Sequence, residues 1–219
     1  MPVAVARSLP GATETESPRA GRALEVLLTT VDDYDRYTGG HSERVARYAG
    51  HIARLMGLSY PTVELARRGA FVHDIGKILI PDSIVQKSVP LTDDERAVIQ
   101  LHPVLGARML ARRPQTRDLA PVVLHHHERW DGAGYPDGQV GSDIPIVSRI
   151  IFVADAFDAM TTERPYGRVL SPQEAGAELR RCSGHDFDPR VVRAMHLALN
   201  GQLSKRSQVP ADQPLSQTG

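Results

Sequence analysis

A chain of 219 residues is long enough for one domain with a substantial core and needs no disulfide or structural metal to form one. Lys and Arg number 26 against 26 Asp and Glu, and this zero formal charge argues against duplex DNA as a partner, which would need a broad basic face. The single cysteine, Cys182, rules out an internal disulfide. With no signal-peptide pattern and no run of about 18 apolar residues, the expected setting is cytoplasmic and away from the membrane.

In chain order, residues 1–19 are rich in Pro, Gly, Ser and Thr and read as a flexible leader. Leu24, Leu27, Leu28 and Val31 recur at helical spacing and predict a helix over 20–36. Val45, Tyr48, Ala49, Ile52, Leu55 and Met56 predict a second from Ser42 to Gly57. Pro61 suits a helix start, and the pattern from Val63 to Ile75 predicts 61–78. Thr92 with Glu95 forms a capping box opening a helix over 92–112. Further helices are expected over 116–128, over 145–162, which reads as a buried one, from Ser171-Pro172 to about 182, and over 188–199. Strand signals are nearly absent, and 201–219 resembles the leader. The expectation is an all-α bundle over 20–200 between a flexible leader and tail.

One stretch departs from helical patterning. Residues 130–141 carry Gly132, Gly134, Gly138 and Gly141 with Pro136, a substantial loop directly after His125-His126-His127. The run Ala70-Phe71-Val72-His73-Asp74-Ile75-Gly76-Lys77 puts an imidazole and a carboxylate in what periodicity reads as an apolar helix interior. Desolvation there is costly unless something offsets it, and a divalent cation does. Imidazole and carboxylate without thiolate suit iron, manganese or zinc better than a cysteine-type site. Two-metal hydrolases hold their ions about 3.5–4 Å apart and need ligands from several helices. His41, His73, Asp74, His102, the 125–127 cluster and Asp155, a charge in another apolar run, supply candidates. Spacing alone reaches a buried multi-metal site and leaves the substrate open.

Several blocks then resemble the HD superfamily and, more narrowly, its HD-GYP branch. They are Tyr37 to Val45, His73-Asp74-Ile75-Gly76-Lys77, His102-Pro103, His126 to Pro136, and Asp155-Ala156-Phe157-Asp158-Ala159-Met160 followed by Arg164-Pro165-Tyr166. The resemblance implies an HD-domain helical bundle with additional C-terminal helices and a Gly-Tyr-Pro loop. It implies a metal-dependent phosphodiesterase that opens cyclic di-GMP to linear pGpG, and it leaves onward cleavage to GMP open. It also implies two divalent ions, iron or manganese. His41, His73, Asp74 and Asp155 would hold one; Asp74 would bridge to a second held by His102, His126 and His127. Lys77 would neutralise charge on the phosphate, and Arg164 and Tyr166 would contact the nucleotide. Tyr135 would line the cleft or meet a signalling partner, while Glu128 and Asp131 would shape the loop and His125 would be a neighbour.

Two positions depart from the family pattern. Tyr37 stands where some members carry a third-metal glutamate, so two ions are expected rather than three. Gly167 stands where a basic residue is common, and Arg168 beside it is the alternative phosphate contact. The leader is too short for a sensor domain, so either a free-standing catalytic domain or regulation supplied by another chain is expected. Two rivals remain: a phosphohydrolase acting on another cyclic dinucleotide or nucleotide, and a non-catalytic dinucleotide- or partner-binding module. Nothing in the charge speaks to oligomeric state.

Overall fold

The computed structural model describes residues 40–163 and 168–206. The predicted leader and the helix over 20–36 lie outside them, as do Tyr37, Arg164, Tyr166, Gly167 and the tail from 207. Among the described residues the chain is helical without a strand, and β pairing is limited to an isolated bridge between Ser183 and Phe187. No described helix is long and apolar enough to cross a membrane.

Helix α1 (His41–Leu55) buries Val45, Ala46, Ala49, Ile52 and Ala53, an apolar stripe at three- and four-residue spacing. It forms a hairpin with α2 (Tyr60–Val72), whose start is capped by the Ser59 hydroxyl accepting from the Thr62 amide, with Pro61 in the first turn. A short helix α3 (Asp82–Val85), not expected from the sequence, precedes α4 (Asp93–Ile99). The predicted capping box is present at α4, with Thr92 and Glu95 satisfying one another's backbone amides. Helix α5 (His102–Ala111) leads through a 3-10 turn at Arg117–Leu119 into α6 (Ala120–Leu124). Helix α7 (Ile146–Thr161) buries residues around most of its girth, including Val147, Ile150, Ile151, Val153, Ala154 and Phe157, as its patterning predicted. Helices α8 (Pro172–Arg181) and α9 (Pro189–Arg206) complete the bundle; α8 opens on a second capping box, Ser171 with Glu174, and α9 runs past its expected end.

The main core joins α1, α2, α7, α8 and α9, while Val72, Ile75, Leu110, Leu119 and Val123 form a smaller cluster. His73 and Asp74 fall where the chain passes between them, after Ala70 of the first and flanked by Val72 and Ile75 of the second.

Three expected helices are shorter or broken, and each break falls at a histidine. The helix expected over 61–78 ends at Val72, and a 3-10 turn follows over Ile75–Leu79, so His73-Asp74 sit at a helix end rather than in an interior. The helix expected over 92–112 divides between Ile99 and His102. Pro103 explains this break, because its ring lacks an N–H and clashes with the carbonyl four residues back, that of Ile99. The helix expected over 116–128 ends at Leu124, leaving His125 to His127 in turns.

The 3-10 turn and the start of α5 meet backbone to backbone at Gly76. A Cβ there would lie 1.9 Å from the His102 carbonyl oxygen and 2.6 Å from the Gly106 amide nitrogen. No flexible side chain can yield at such a contact, so Gly76 sets how closely Asp74 and His102 approach. Gly76→Ala is expected to destabilise the fold by about 1–3 kcal/mol or more, the usual range for overpacking, measured by urea unfolding. Unchanged stability would show that the two segments can separate freely.

Candidate metal centre

Seven side chains converge in two adjoining groups. His41, His73 and Asp155 form one, and Asp74, His102, His126 and His127 the other, with the candidate ligand atoms of each group within 4.8 Å of one another. They come from the N-terminus of α1, the end of α2, the start of α5, the turn after α6 and the middle of α7. Asp74 joins the groups: its Oδ2 lies 3.4 Å from His73 Nε2 and its Oδ1 3.3 Å from His102 Nε2. His41 Nε2 lies 3.4 Å from Asp155 Oδ1.

The imidazoles are oriented by the helix ends just described. His73 Nδ1 donates to the Ala70 carbonyl at 2.7 Å, His102 Nδ1 to Ile99 at 2.7 Å and His126 Nδ1 to Val123 at 2.6 Å. Each bond spans three residues and takes a carbonyl that a terminating helix leaves without an amide partner. With Nδ1 protonated, each Nε2 presents a lone pair to the shared space. Two of these lone pairs, on His102 and His126, face each other at 3.3 Å, and His73 Nε2 is buried without any hydrogen-bond partner. Facing acceptors repel unless a proton or a cation lies between them.

The pKa directions disfavour the proton. Burial, aided by neighbouring His127 and His73, pushes His126 well below its ordinary value, and burial with His102 lowers His127 to about 3. His73 is lowered by burial against the pull of Asp74. Burial opposes ionisation of Asp74, yet His73, Lys77 and His102 hold its carboxyl well below the usual range. His41 goes the other way: burial opposes its protonation, but the Asp158 hydrogen bond and the charges of Asp155 and Asp74 raise it. Neutral imidazoles and ionised carboxylates are the protonation states that metal ligation requires. His73, His126, His127 and Asp74 fit divalent ions on both counts, while His41 carries its proton toward Asp158 and Asp155 until a cation displaces it.

A family model described as the HD domain matches residues 25–191. The chain belongs to the HD domain family. The resemblance of the sequence blocks to the HD-GYP branch stands with this membership. The cyclic di-GMP phosphodiesterase response regulator RpfG of Xanthomonas campestris is 41% identical over 192 residues, 86% of this chain and 50% of that protein. The 3'3'-cGAMP-specific phosphodiesterase 2 of Vibrio cholerae is 37% identical over 168 residues, 76% of this chain and 32% of that protein. This chain thus spans half or less of the length of these two curated relatives. Among solved structures, the HD domain of the L. monocytogenes phosphodiesterase PgpH, in complex with cyclic-di-AMP, aligns with a TM-score of 0.58 at 21% identity. That alignment covers 86% of this chain and 100% of that one, and it speaks to the fold alone.

In this HD domain Lys77 Nζ sits 2.6 Å from Asp74 Oδ2, the i+3 spacing of the 3-10 turn bringing the two together. Tyr135 stacks on His127, with ring centroids 4.9 Å apart and planes at 26°. Burial, with Asp74 and Asp155 nearby, raises its phenol pKa and keeps it protonated. The loop behind it is closed by buried Glu128, whose carboxylate accepts from the Asp137 and Gln139 amides at 2.8 and 3.1 Å. Asp131 accepts from Ala133 N and pairs with Arg129, which also reaches Asp186 at 2.6 Å and so ties the loop to the α8–α9 connection. Glu128 and Asp131 are placed to shape the loop. His125 Nδ1 donates to the Pro121 carbonyl and its Nε2 meets Asp137, outside both ligand groups. Arg168 is brought to neither group; it is exposed and pairs with Glu174 at 2.6 Å.

Sequence reading gave Asp158 no role. Its carboxylate is buried, takes a 2.7 Å bond from His41 Nδ1, and is gripped by Arg44 through Nε at 2.6 Å and Nη2 at 3.0 Å. Burial opposes its ionisation, but His41 and Arg44 lower its pKa. The signal was its place three residues after Asp155 on one helix face, a spacing that suits a carboxylate orienting a ligand's partner. Asp158→Ala should weaken metal binding by about 10–100-fold, read by titrating manganese into the metal-stripped chain. Wild-type affinity in that variant would show that the packing of α1 alone holds His41.

Proposed function

We propose that this HD domain is a metal-dependent phosphodiesterase that hydrolyses cyclic di-GMP to pGpG in the cytoplasm, using two divalent ions, iron or manganese. The observation that carries the reading is the single carboxylate of Asp74 facing both ligand groups, with the Lys77 ammonium 2.6 Å away. An arrangement of this kind suits a phosphodiester, which brings negative charge to the same point. The chain's likeness to relatives named as cyclic di-GMP and 3'3'-cGAMP phosphodiesterases supports a cyclic dinucleotide as the substrate class.

On this reading His41, His73, Asp74 and Asp155 hold one ion, and Asp74, His102, His126 and His127 the other. Bound divalent ions lower the pKa of water and offset phosphate charge. The chain's own residues then orient and exclude. Lys77 offsets charge that builds on the phosphate as the P–O bond breaks. Its bond to Asp74 aims the ammonium at the centre before substrate arrives. Tyr135 and the loop wall one side of the cleft. Arg164 and Tyr166 contact the nucleotide, and Arg168, engaged by Glu174, is left on the surface. The exposed Val140 on the same loop is available to a signalling partner. A second reading, another cyclic dinucleotide as substrate, is favoured by Gly167, which removes a side chain expected at the phosphate.

The test is anaerobic incubation of manganese- or iron-loaded protein with cyclic di-GMP, 3'3'-cGAMP and cyclic di-AMP, products being separated by chromatography. Cyclic di-GMP is expected to be cleaved fastest. Asp74→Ala should lower bound metal and abolish turnover together, and chelation should do the same to the wild type. Turnover persisting in metal-free Asp74→Ala would sink the mechanism, and preferential cleavage of another dinucleotide would replace the substrate.

A further inference from the structure

Each imidazole of the centre has something that fixes its plane, and for four of the five it is a hydrogen bond. His73, His102 and His126 are held by backbone carbonyls, and His41 by the Asp158 carboxylate. His127 differs. Among the described residues its ring makes no side-chain hydrogen bond. Apart from the co-ligands His102 and His126, its ring contacts are the face of Tyr135 at 4.9 Å and the more distant edge of Phe152 at 6.2 Å.

Tyr135 is itself fixed relative to His127. Its amide donates to the His127 carbonyl at 3.2 Å, so the two residues are joined by backbone as well as by ring. Gly134 makes this possible, since a Cβ there would lie 2.3 Å from Arg129 N and 2.6 Å from the His127 carbonyl oxygen. The far side of the turn is pinned where Glu128 accepts from Asp137 and Gln139. The phenol ring therefore has a backbone locked onto the residue whose imidazole it covers, and the near-parallel planes at 26° are the outcome.

We propose that Tyr135 is the positioning residue for His127: its ring face sets the plane of that imidazole, as carbonyls and Asp158 set the others. The Gly-Tyr-Pro loop then completes the second metal site as well as walling the cleft. This rests on the two-ion part of the proposed function and on no particular substrate.

The test compares the full-length wild type with Tyr135→Phe, which keeps the ring, and Tyr135→Leu, which keeps apolar bulk and removes the flat face. Each metal-stripped protein is titrated with manganese, and bound metal is counted by elemental analysis. Wild type and Tyr135→Phe are expected to take up two ions with the same affinities. Tyr135→Leu should keep the first ion at wild-type affinity and bind the second about 10–100-fold more weakly, the range for losing an orienting partner of a ligand. Retention of the first ion reports that the bundle is intact. Two ions bound at wild-type affinity by Tyr135→Leu would overturn the proposal. Loss of both ions together would also overturn it, because the residue would then serve the fold as a whole. Wild-type protein that binds two ions yet leaves cyclic di-GMP intact would remove the substrate reading and leave this result unaffected.

Discussion

The centre depends on helices that stop early. Ala70, Ile99 and Val123 each offer a carbonyl at or just before the last residue of a helix, and a histidine three residues on takes it. A continued helix would give those carbonyls to backbone amides and turn the imidazoles away. Ending it frees the carbonyl, sets the tautomer and points Nε2 inward in one step. Pro103 enforces one of these endings directly, and Gly76 lets the next backbone come close enough to use it.

Burial of so many polar groups in one place is unfavourable taken group by group. An ionised carboxylate in a protein interior costs several kcal/mol even after relaxation, and an acceptor facing an acceptor adds to that. The arrangement is intelligible once cations are counted among its parts: on the proposed reading, lone pairs that repel one another would become ligands and Asp74 a shared one. Lys77 contributes part of that positive charge from the chain itself. The larger aliphatic core around α7 lies behind these groups and gives them a rigid backing.

A second layer of contacts turns this group of residues into a defined site. Asp158 is held by Arg44 and in turn holds His41, while Glu128 gathers the loop amides and so places Tyr135. Arg129 links the loop to the α8–α9 connection through Asp131 and Asp186. None of these residues needs to touch a metal or a substrate to matter. Their effect is to remove freedom from the residues that the proposed function places at the metals and substrate, which is where much of a preorganised site's advantage arises.

The sequence by itself determined the all-α class, the capping box at Thr92, the helix start at Ser171-Pro172, the buried character of α7 and, through the family blocks, the residues that gather at the centre. Helical spacing and capping chemistry are local, so they can be read along the chain. Periodicity could not show that the helices over 61–78, 92–112 and 116–128 stop at histidines, because an apolar face keeps its spacing across a break. Nor could it pair His41 with Asp158, 117 positions away, or lay Tyr135 on His127 across a loop. Those contacts come from how close two backbones can pass and where a freed carbonyl points. Both are properties of packing in three dimensions, and only the tertiary structure decided them.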